Sequence, residues 1–213
     1  MDSMTKGSIP VTCLFVDIGG VLLSNGWDAA IRQRTAEHFQ LELAEMEYRH
    51  HLTFDTYEEG KITLQDYLAR IVFYRTRPFT PVQFQQFMFA QSSPCPQMIE
   101  LVRTLKLKYG LKTVVVSNEG QELNAHRIRA FKLDSFLDSF VSSCFVHLRK
   151  PDADIFRLAL DIAQVQPDQV IYIENTPMFV KVAEGLGIRS ILHTEYEMTR
   201  SQLASFGLSC GTG

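Results

Sequence analysis

The sequence predicts an α/β fold: a Rossmann-like, doubly wound parallel sheet into which an α-helical cap domain is inserted. Short apolar or β-branched runs alternate with single helix-like segments over most of the chain, which indicates a parallel sheet covered on both faces. Residues 24–95 interrupt this pattern with a stretch rich in aromatic residues at helical spacing. The 213 residues amount to about 1.4 typical domains, which suits one core with one insertion.

The predicted sheet has five strands. They comprise residues 11–16, 113–116, 140–141, 170–173 and 190–192. Helix-like segments separate them at residues 97–108, 121–131, 152–163 and 178–186. Right-handed crossovers would place these helices on both faces of the sheet. Ligands of such sheets bind beyond the carboxyl ends of the strands, so the polar residues there indicate function.

The inserted stretch is predicted to be a helical cap. Its apolar residues recur at helical intervals, for example at Leu64, Tyr67, Leu68 and Ile71. Thr63, three residues before an aspartate, is placed to cap one of these helices. We therefore predict a core domain of residues 1–23 and 96–213 and a cap domain of residues 24–95.

Composition excludes several classes of protein. A net charge of −3, without arginine-rich runs, argues against nucleic acid as a partner. The first ten residues lack the apolar core of a signal peptide, and the longest uncharged stretch is too rich in proline and glutamine to span a membrane. The four cysteines are widely spaced and form no CxxC pair, which favours reduced thiols in a cytoplasmic protein.

Polar residues follow three of the predicted strands directly, and one more precedes a predicted helix. Asp17 closes the first strand and is followed by a Gly-Gly pair, and Ser117–Asn118 close the second. Lys150 precedes a helix, and Glu174–Asn175 close the fourth strand. Each has an ordinary alternative role, such as capping a turn or a helix or lying in solvent. Together they place a nucleophilic carboxylate, a hydroxyl, an ammonium and a further acid along one sheet edge, as phosphoryl transfer through an aspartyl intermediate requires.

The order of these residues resembles the four motifs of the haloacid dehalogenase superfamily. The resemblance covers the whole chain, and the inserted helices are similar to the cap that one subgroup carries between its first and second motifs. Residues 149–156, with the sequence RKPDADIF, are typical of that subgroup.

The resemblance implies the catalytic and substrate-binding roles. Asp17 is the implied nucleophile, and Lys150 neutralises it together with the phosphoryl oxygens. Ser117 and the backbone of Asn118 hold the transferring group. Gly20 belongs to the Gly-Gly turn, whose backbone N–H groups suit an anion site.

The resemblance also implies a Mg²⁺ cofactor. Its ligands would be the carboxylate of Asp17, the main-chain carbonyl of Gly19 and the carboxylate of Glu174, with Asn175 as a further candidate. Family members usually have an acidic pair where this chain has Glu174–Asn175. This change predicts weaker metal binding, because Mg²⁺ prefers tight octahedral oxygen geometry.

A second departure concerns proton transfer. Family phosphatases carry an aspartate two residues after the nucleophile as general acid and base, and this chain has Gly19 there. General acid–base help is typically worth about 10²–10⁴ in rate. His147, Glu119 and Asp28 are the nearby candidates to replace it; alternatively, the substrate is an acyl or aryl phosphate whose leaving group needs no proton.

Three functions remain open from the sequence. The first is a Mg²⁺-dependent phosphatase that acts on a small phosphorylated metabolite, as a monomer or homodimer without nucleic-acid or membrane partners. The second is carbon–halogen hydrolysis, whose family members also lack the second aspartate but usually have an aromatic residue in its place and need no metal. The third is a non-enzymatic member that binds a ligand or a protein.

Overall fold

The computed structural model describes residues 10–210, so residues 1–9 of the predicted core domain and residues 211–213 lie outside the description. Five parallel strands form one sheet. They are β1 (Cys13–Val16), β2 (Lys112–Ser117), β3 (Ser139–Ser142), β4 (Val170–Glu174) and β5 (Arg189–Leu192). Their order is β3-β2-β1-β4-β5, which confirms the predicted doubly wound α/β fold.

Eleven α-helices surround this sheet or cover its edge within residues 10–210. They are α1 (Ala29–His38), α2 (Leu43–His51), α3 (Phe54–Glu58), α4 (Leu64–Ile71), α5 (Pro81–Ala90), α6 (Pro96–Tyr109), α7 (Gln121–Ala130), α8 (Ser143–Val146), α9 (Asp154–Ala163), α10 (Pro177–Gly185) and α11 (Tyr196–Ser205). Neither the single-turn α8 nor α11 is predicted from the sequence. None of the helices within residues 10–210 is both long and apolar enough to cross a membrane.

The central strand β1 is buried on both faces. Leu14 and Val16 point into the cluster that α6 and α11 cover, whereas Cys13 and Phe15 point into the cluster that α9 and α10 cover. All four side chains are fully buried. This two-sided burial explains why the strand is a continuous apolar run rather than an alternating one.

Strand register brings the predicted motifs to one edge. Val16 of β1 lies opposite Val115 of β2 and Ile173 of β4. Asp17 follows Val16 directly, so it is level with Glu174, which follows Ile173 in β4. On the β2 side, Ser117 lies one residue beyond the level of Asp17. Three polar side chains from distant parts of the sequence thus meet beyond the carboxyl end of the sheet.

Helices α1–α5 lie between β1 and β2 in sequence and pack around a separate apolar cluster. Phe39, Phe79 and Phe84 are in ring contact within it. Capping boxes at Thr63 and Thr80 satisfy the first turns of α4 and α5, as the spacing at Thr63 predicts.

The helical segment is tied closely to the core. The hydroxyl of Ser143 donates to the carbonyl of Glu58 at 2.6 Å, and the amide of Leu64 donates to Oε1 of Glu122 at 2.8 Å. Nη2 of Arg149 pairs with Oε2 of Glu58 at 2.7 Å. These contacts hold the helical segment over the edge of the sheet where Asp17 lies.

Candidate active site

A cavity of about 330 Å³ lies between the sheet edge and the helical segment. Asp17, Ser117, Lys150 and Asn175 line it on the core side. The helical segment contributes mainly aromatic residues to the opposite wall. They are Trp27, His50, Phe54, Tyr57 and Tyr67.

Asp17 is buried at the base of this cavity, with 7% of its surface exposed. Lys150 Nζ lies 3.2 Å from its Oδ1 atom. That oxygen is itself buried and receives no well-directed hydrogen bond, so its interaction with Lys150 is that of an ion pair. The structure thus places the predicted nucleophile beside the predicted ammonium group.

Lys150 is the centre of a buried polar cluster. Its Nζ atom lies 2.6 Å from Oε2 of Glu174 and 3.1 Å from the hydroxyl of Tyr172, which itself donates to Glu174. Asn118 holds the lysine in place: its amide donates to the Lys150 carbonyl at 2.8 Å and accepts from the Lys150 amide at 2.9 Å. The Asn118 side chain therefore positions Lys150, which leaves its backbone for the predicted contact with substrate.

The pKa values of Asp17 and Lys150 are both raised, but for different reasons. Burial raises the pKa of Asp17 to about 6, although the charge of Lys150 and a hydrogen bond from Ser117 act against the rise. Burial acts to lower the pKa of Lys150, but the carboxylates of Asp17 and Glu174 outweigh it and hold that pKa above its ordinary value. The two carboxylates therefore favour the cationic form of Lys150.

The oxygen atoms around Asn175 fit a hard cation. One terminal atom of its amide lies 2.9 Å from Oε1 of Glu174 and 3.3 Å from the carbonyl oxygen of Gly19. When this atom is the amide nitrogen, it donates to both oxygens. When the amide is turned over, its oxygen occupies this position, and three oxygen atoms converge beside Asp17. Such a set suits Mg²⁺. Within residues 10–210, no three histidine, cysteine, aspartate or glutamate side chains form a metal site by themselves.

Glu174 is less free than the sequence suggests. Its Oε2 atom is bound by Lys150 and Tyr172, and its Oε1 atom accepts from the backbone of Thr176 at 2.8 Å. The side chain is fully buried behind the cavity wall. Asn175, which lies on the wall itself, is therefore the more exposed of the two candidate ligands to the cavity.

Gly20 has a steric role in this structure. Its amide donates to the carbonyl of Leu23 at 2.7 Å, and it does not line the cavity. Its φ of +72° favours glycine, and a Cβ atom there would lie 2.0 Å from Nδ2 of Asn175. Glycine at this position therefore gives Asn175 room to approach the site.

The three candidate proton donors occupy different environments. Nδ1 of His147 binds the carbonyl of Glu59 at 2.6 Å, away from the cavity. Asp28 lines the cavity, but its carboxylate caps α1 through the amide of Ile31 and accepts from Asn25. Glu119 lines the cavity and is paired with a buried arginine, Arg127.

Sequence reasoning missed several residues of this site. Tyr172 contacts Lys150 from within β4, and in the sequence it is indistinguishable from the apolar residues of that strand. Tyr57, from α3, lies on the cavity wall with its hydroxyl buried and unpaired. Glu58 is also on the wall, and burial raises its pKa although Arg149 opposes the shift. No local sequence signal marks these three residues, because each acquires its role by packing against a distant segment.

The fold and the site together define a protein of the α/β class with a buried aspartate directly after its central strand. The family model of haloacid dehalogenase-like hydrolases matches residues 11–187. The chain belongs to this family, as the four motifs predict.

Two curated relatives show the range of the family. The chain is 31% identical to bifunctional epoxide hydrolase 2 of Sus scrofa over 99 residues, which are 45% of this chain and 18% of that protein. It is 26% identical to the phosphorylated carbohydrates phosphatase of Thermotoga maritima over 133 residues, which are 62% of this chain and 57% of that protein. Both matches therefore span less than two thirds of the relative's length.

A solved structure shares the fold over most of both chains. It is a HAD family enzyme of Bacteroides thetaiotaomicron in complex with magnesium and inorganic phosphate. The TM-score is 0.71 at 21% identity, with 86% of this chain and 94% of that chain covered. At this identity the likeness establishes the fold and does not assign a substrate.

Proposed function

We propose that this hydrolase is a phosphatase that transfers the phosphoryl group of a small phosphorylated metabolite to Asp17 and then to water. The observation that carries the proposal is the Asp17–Lys150 pair at the base of the cavity, 3.2 Å apart and buried. A carboxylate next to a permanent cation suits attack on an anionic phosphoryl group, since the cation offsets the repulsion between the two anions.

Each step of the reaction has a residue that serves it. Oδ of Asp17 attacks phosphorus, and the bond from phosphorus to the leaving oxygen breaks. Ser117 and the backbone amide of Asn118 hold the phosphoryl oxygens, while Lys150 neutralises their charge. Water then attacks phosphorus, the bond to Asp17 breaks, and phosphate is released.

The oxygen set described above fits Mg²⁺, and we propose it as the cofactor. Asp17, the Gly19 carbonyl and the Asn175 amide oxygen would hold the ion, and Glu174 would add negative charge from behind the wall. When bound, Mg²⁺ supplies further positive charge to the phosphoryl oxygens. Asn175 in place of a carboxylate predicts a weaker site than an acidic pair would make.

The cavity wall limits the kind of substrate. Among the described residues that line it, Lys150 is the only lysine or arginine, and it is already paired with Asp17. The opposite wall is mainly aromatic, includes the acids Asp28 and Glu58, and offers no lysine or arginine among the described residues. Burial lowers the pKa of His50 on this wall to about 4, and its Nδ1 atom lies 2.6 Å from the Tyr67 hydroxyl. We therefore propose a substrate with one phosphoryl group and an uncharged remainder, handled by a cytoplasmic enzyme without nucleic-acid or membrane partners.

Asp17→Asn tests the proposal. The variant keeps the shape of the side chain but removes the nucleophile, so turnover of para-nitrophenyl phosphate with Mg²⁺ should fall to background. Asp161→Asn, at an exposed aspartate of α9, is the matched control and should retain wild-type activity. Thermal unfolding of both variants establishes that they are folded.

Two results would contradict the proposal. One is unchanged phosphatase activity in Asp17→Asn. The other is a wild-type protein that hydrolyses 2-haloacids without Mg²⁺ and no phosphate ester, which would favour carbon–halogen hydrolysis instead.

A further inference from the structure

The space beside Gly19 is bordered by a buried arginine, Arg127. A Cβ atom at Gly19 would lie 3.6 Å from Oδ1 of Asn25 and 3.9 Å from Nη1 of Arg127, which are ordinary contact distances. Arg127 comes from α7, on the other side of the helical insertion in sequence. A guanidinium group thus borders the space that a side chain at position 19 would enter.

Arg127 is held rigidly at this place. It is fully buried; its Nη2 atom donates to the carbonyl of Ser24, and its Nη1 atom donates to Oε1 of Glu119. The nitrogen that binds Glu119 is the same atom that lies beside Gly19. The carboxylate of Glu119 is therefore held one hydrogen bond away from the space next to Gly19.

Glu119 itself faces the reaction site. It lines the same cavity as Asp17 and Gly19, with 5% of its surface exposed. Its backbone amide donates to the hydroxyl of Ser143 at 3.0 Å, which fixes the loop after β2. Glu119 and Asp17 therefore border the same cavity, which is the space that the leaving group of a bound phosphate ester would occupy.

We propose that Glu119 is the general acid and base of this enzyme and that Arg127 positions it. The inference rests on the proposed phosphatase function. As Asp17 attacks and the bond from phosphorus to the leaving oxygen breaks, the carboxylic acid of Glu119 gives its proton to that oxygen. In the second half of the reaction its carboxylate takes a proton from the attacking water, which restores the acid.

The electrostatic surroundings of Glu119 support this role. Burial raises its pKa to about 7; the charge of Arg127 opposes the rise, and the carboxylates of Asp17 and Glu58 add to it. Lys150 also faces the group and favours its ionised form. A carboxyl group with a pKa near neutrality can both give and accept a proton in one catalytic cycle.

A series of substituted phenyl phosphates separates proton donation from structural support. The para-nitrophenolate ion leaves without a proton, whereas unsubstituted phenolate depends far more on one. In Glu119→Gln, kcat/KM for phenyl phosphate should fall by about 10²–10⁴, whereas kcat/KM for para-nitrophenyl phosphate should change by less than about tenfold. The amide keeps the shape of the side chain and can still accept from Arg127.

Two further variants complete the experiment. Glu47→Gln breaks another arginine-bound carboxylate, which pairs with Arg32 outside the cavity, and should leave the leaving-group dependence unchanged. Gly19→Asp in the Glu119→Gln background supplies a new carboxyl group in the adjoining space. It should restore phenyl phosphate hydrolysis by at least tenfold.

The outcomes distinguish the two proposals. An equal loss for both substrates in Glu119→Gln, or no loss for either, would overturn the role of Glu119 while leaving the phosphatase function intact. Absence of turnover of either ester by the wild-type enzyme, or equal turnover by wild type and Asp17→Asn, would overturn the proposed function itself.

Discussion

Gly120→Ala probes how tightly the helical segment closes over the core. Gly120 precedes α7 and has φ −71° and ψ 146°, a conformation that alanine adopts freely. A Cβ atom there would nevertheless lie 2.0 Å from Cζ and 2.1 Å from Cε1 of Tyr57. The methyl group would occupy space that the tyrosine ring already fills.

The expected effect follows from two opposing terms. Replacing glycine by alanine in an allowed conformation stabilises a protein by about 0.4–1 kcal/mol through the unfolded chain. Overpacking a filled site costs about 1–3 kcal/mol. We expect the free energy of unfolding to fall by about 1–2 kcal/mol, and the Tm by about 2–8 °C for a chain of this size.

Differential scanning calorimetry measures this effect against two controls. Gly185→Ala, at the end of α10 with no atom within 4 Å of the new Cβ, should leave the Tm unchanged or raise it. Tyr57→Leu removes the outer ring atoms, so adding Gly120→Ala to that variant should cost nothing further. A Gly120→Ala protein as stable as the wild type would refute the close packing of Tyr57 on Gly120.

Three further predictions concern the charges of the site. Lys150→Met leaves the carboxylates of Asp17 and Glu174 buried without a cation, so urea unfolding at pH 8 should show a free energy of unfolding lower by about 3–5 kcal/mol. This loss should shrink below pH 6, where Asp17 takes up a proton. An equal loss at both pH values would contradict the pairing. The folded protein binds the Glu119 proton more tightly than the unfolded chain, because the pKa rises from 4.5 to about 7, so this group makes stability decrease as pH rises through that interval. Glu119→Gln should therefore flatten the curve of Tm against pH between those values, and an unchanged slope would count against the shift. Asn175→Asp replaces an amide donor with a carboxylate beside Glu174, so it should lower the Tm without Mg²⁺ and raise the affinity for Mg²⁺ in calorimetric titration; unchanged affinity would place the ion elsewhere.

The regular elements of the core were predictable because their signals are local. The five apolar runs became the five strands, and the segment at residues 97–108 became α6 with one more residue at each end. Thr63 caps α4 through a contact three residues away. By contrast, α11 has mixed composition and is stabilised through Leu203 against the sheet, which no local pattern shows.

The four motifs were predictable for a related reason. Parallel strands end at the same edge, so acids and hydroxyls that follow strands must meet there. The sequence could not show that Glu174 is occupied by Lys150 and Tyr172, or that Gly20 spaces Asn175 rather than facing the cavity. The hydrogen-bond partners of Glu174 and the orientation of Gly20 depend on how the neighbouring segments pack.

By itself, therefore, the sequence determined the class of fold and the family, and it predicted which carboxylate attacks. Only the tertiary structure decided which groups surround that carboxylate. Glu119 meets Arg127, and Arg127 meets the carbonyl of Ser24, across a separation of 103 residues. The contact with Ser24 forms only when the start of the helical segment packs against α7, because its two partners are brought together by the tertiary fold and not by the local sequence.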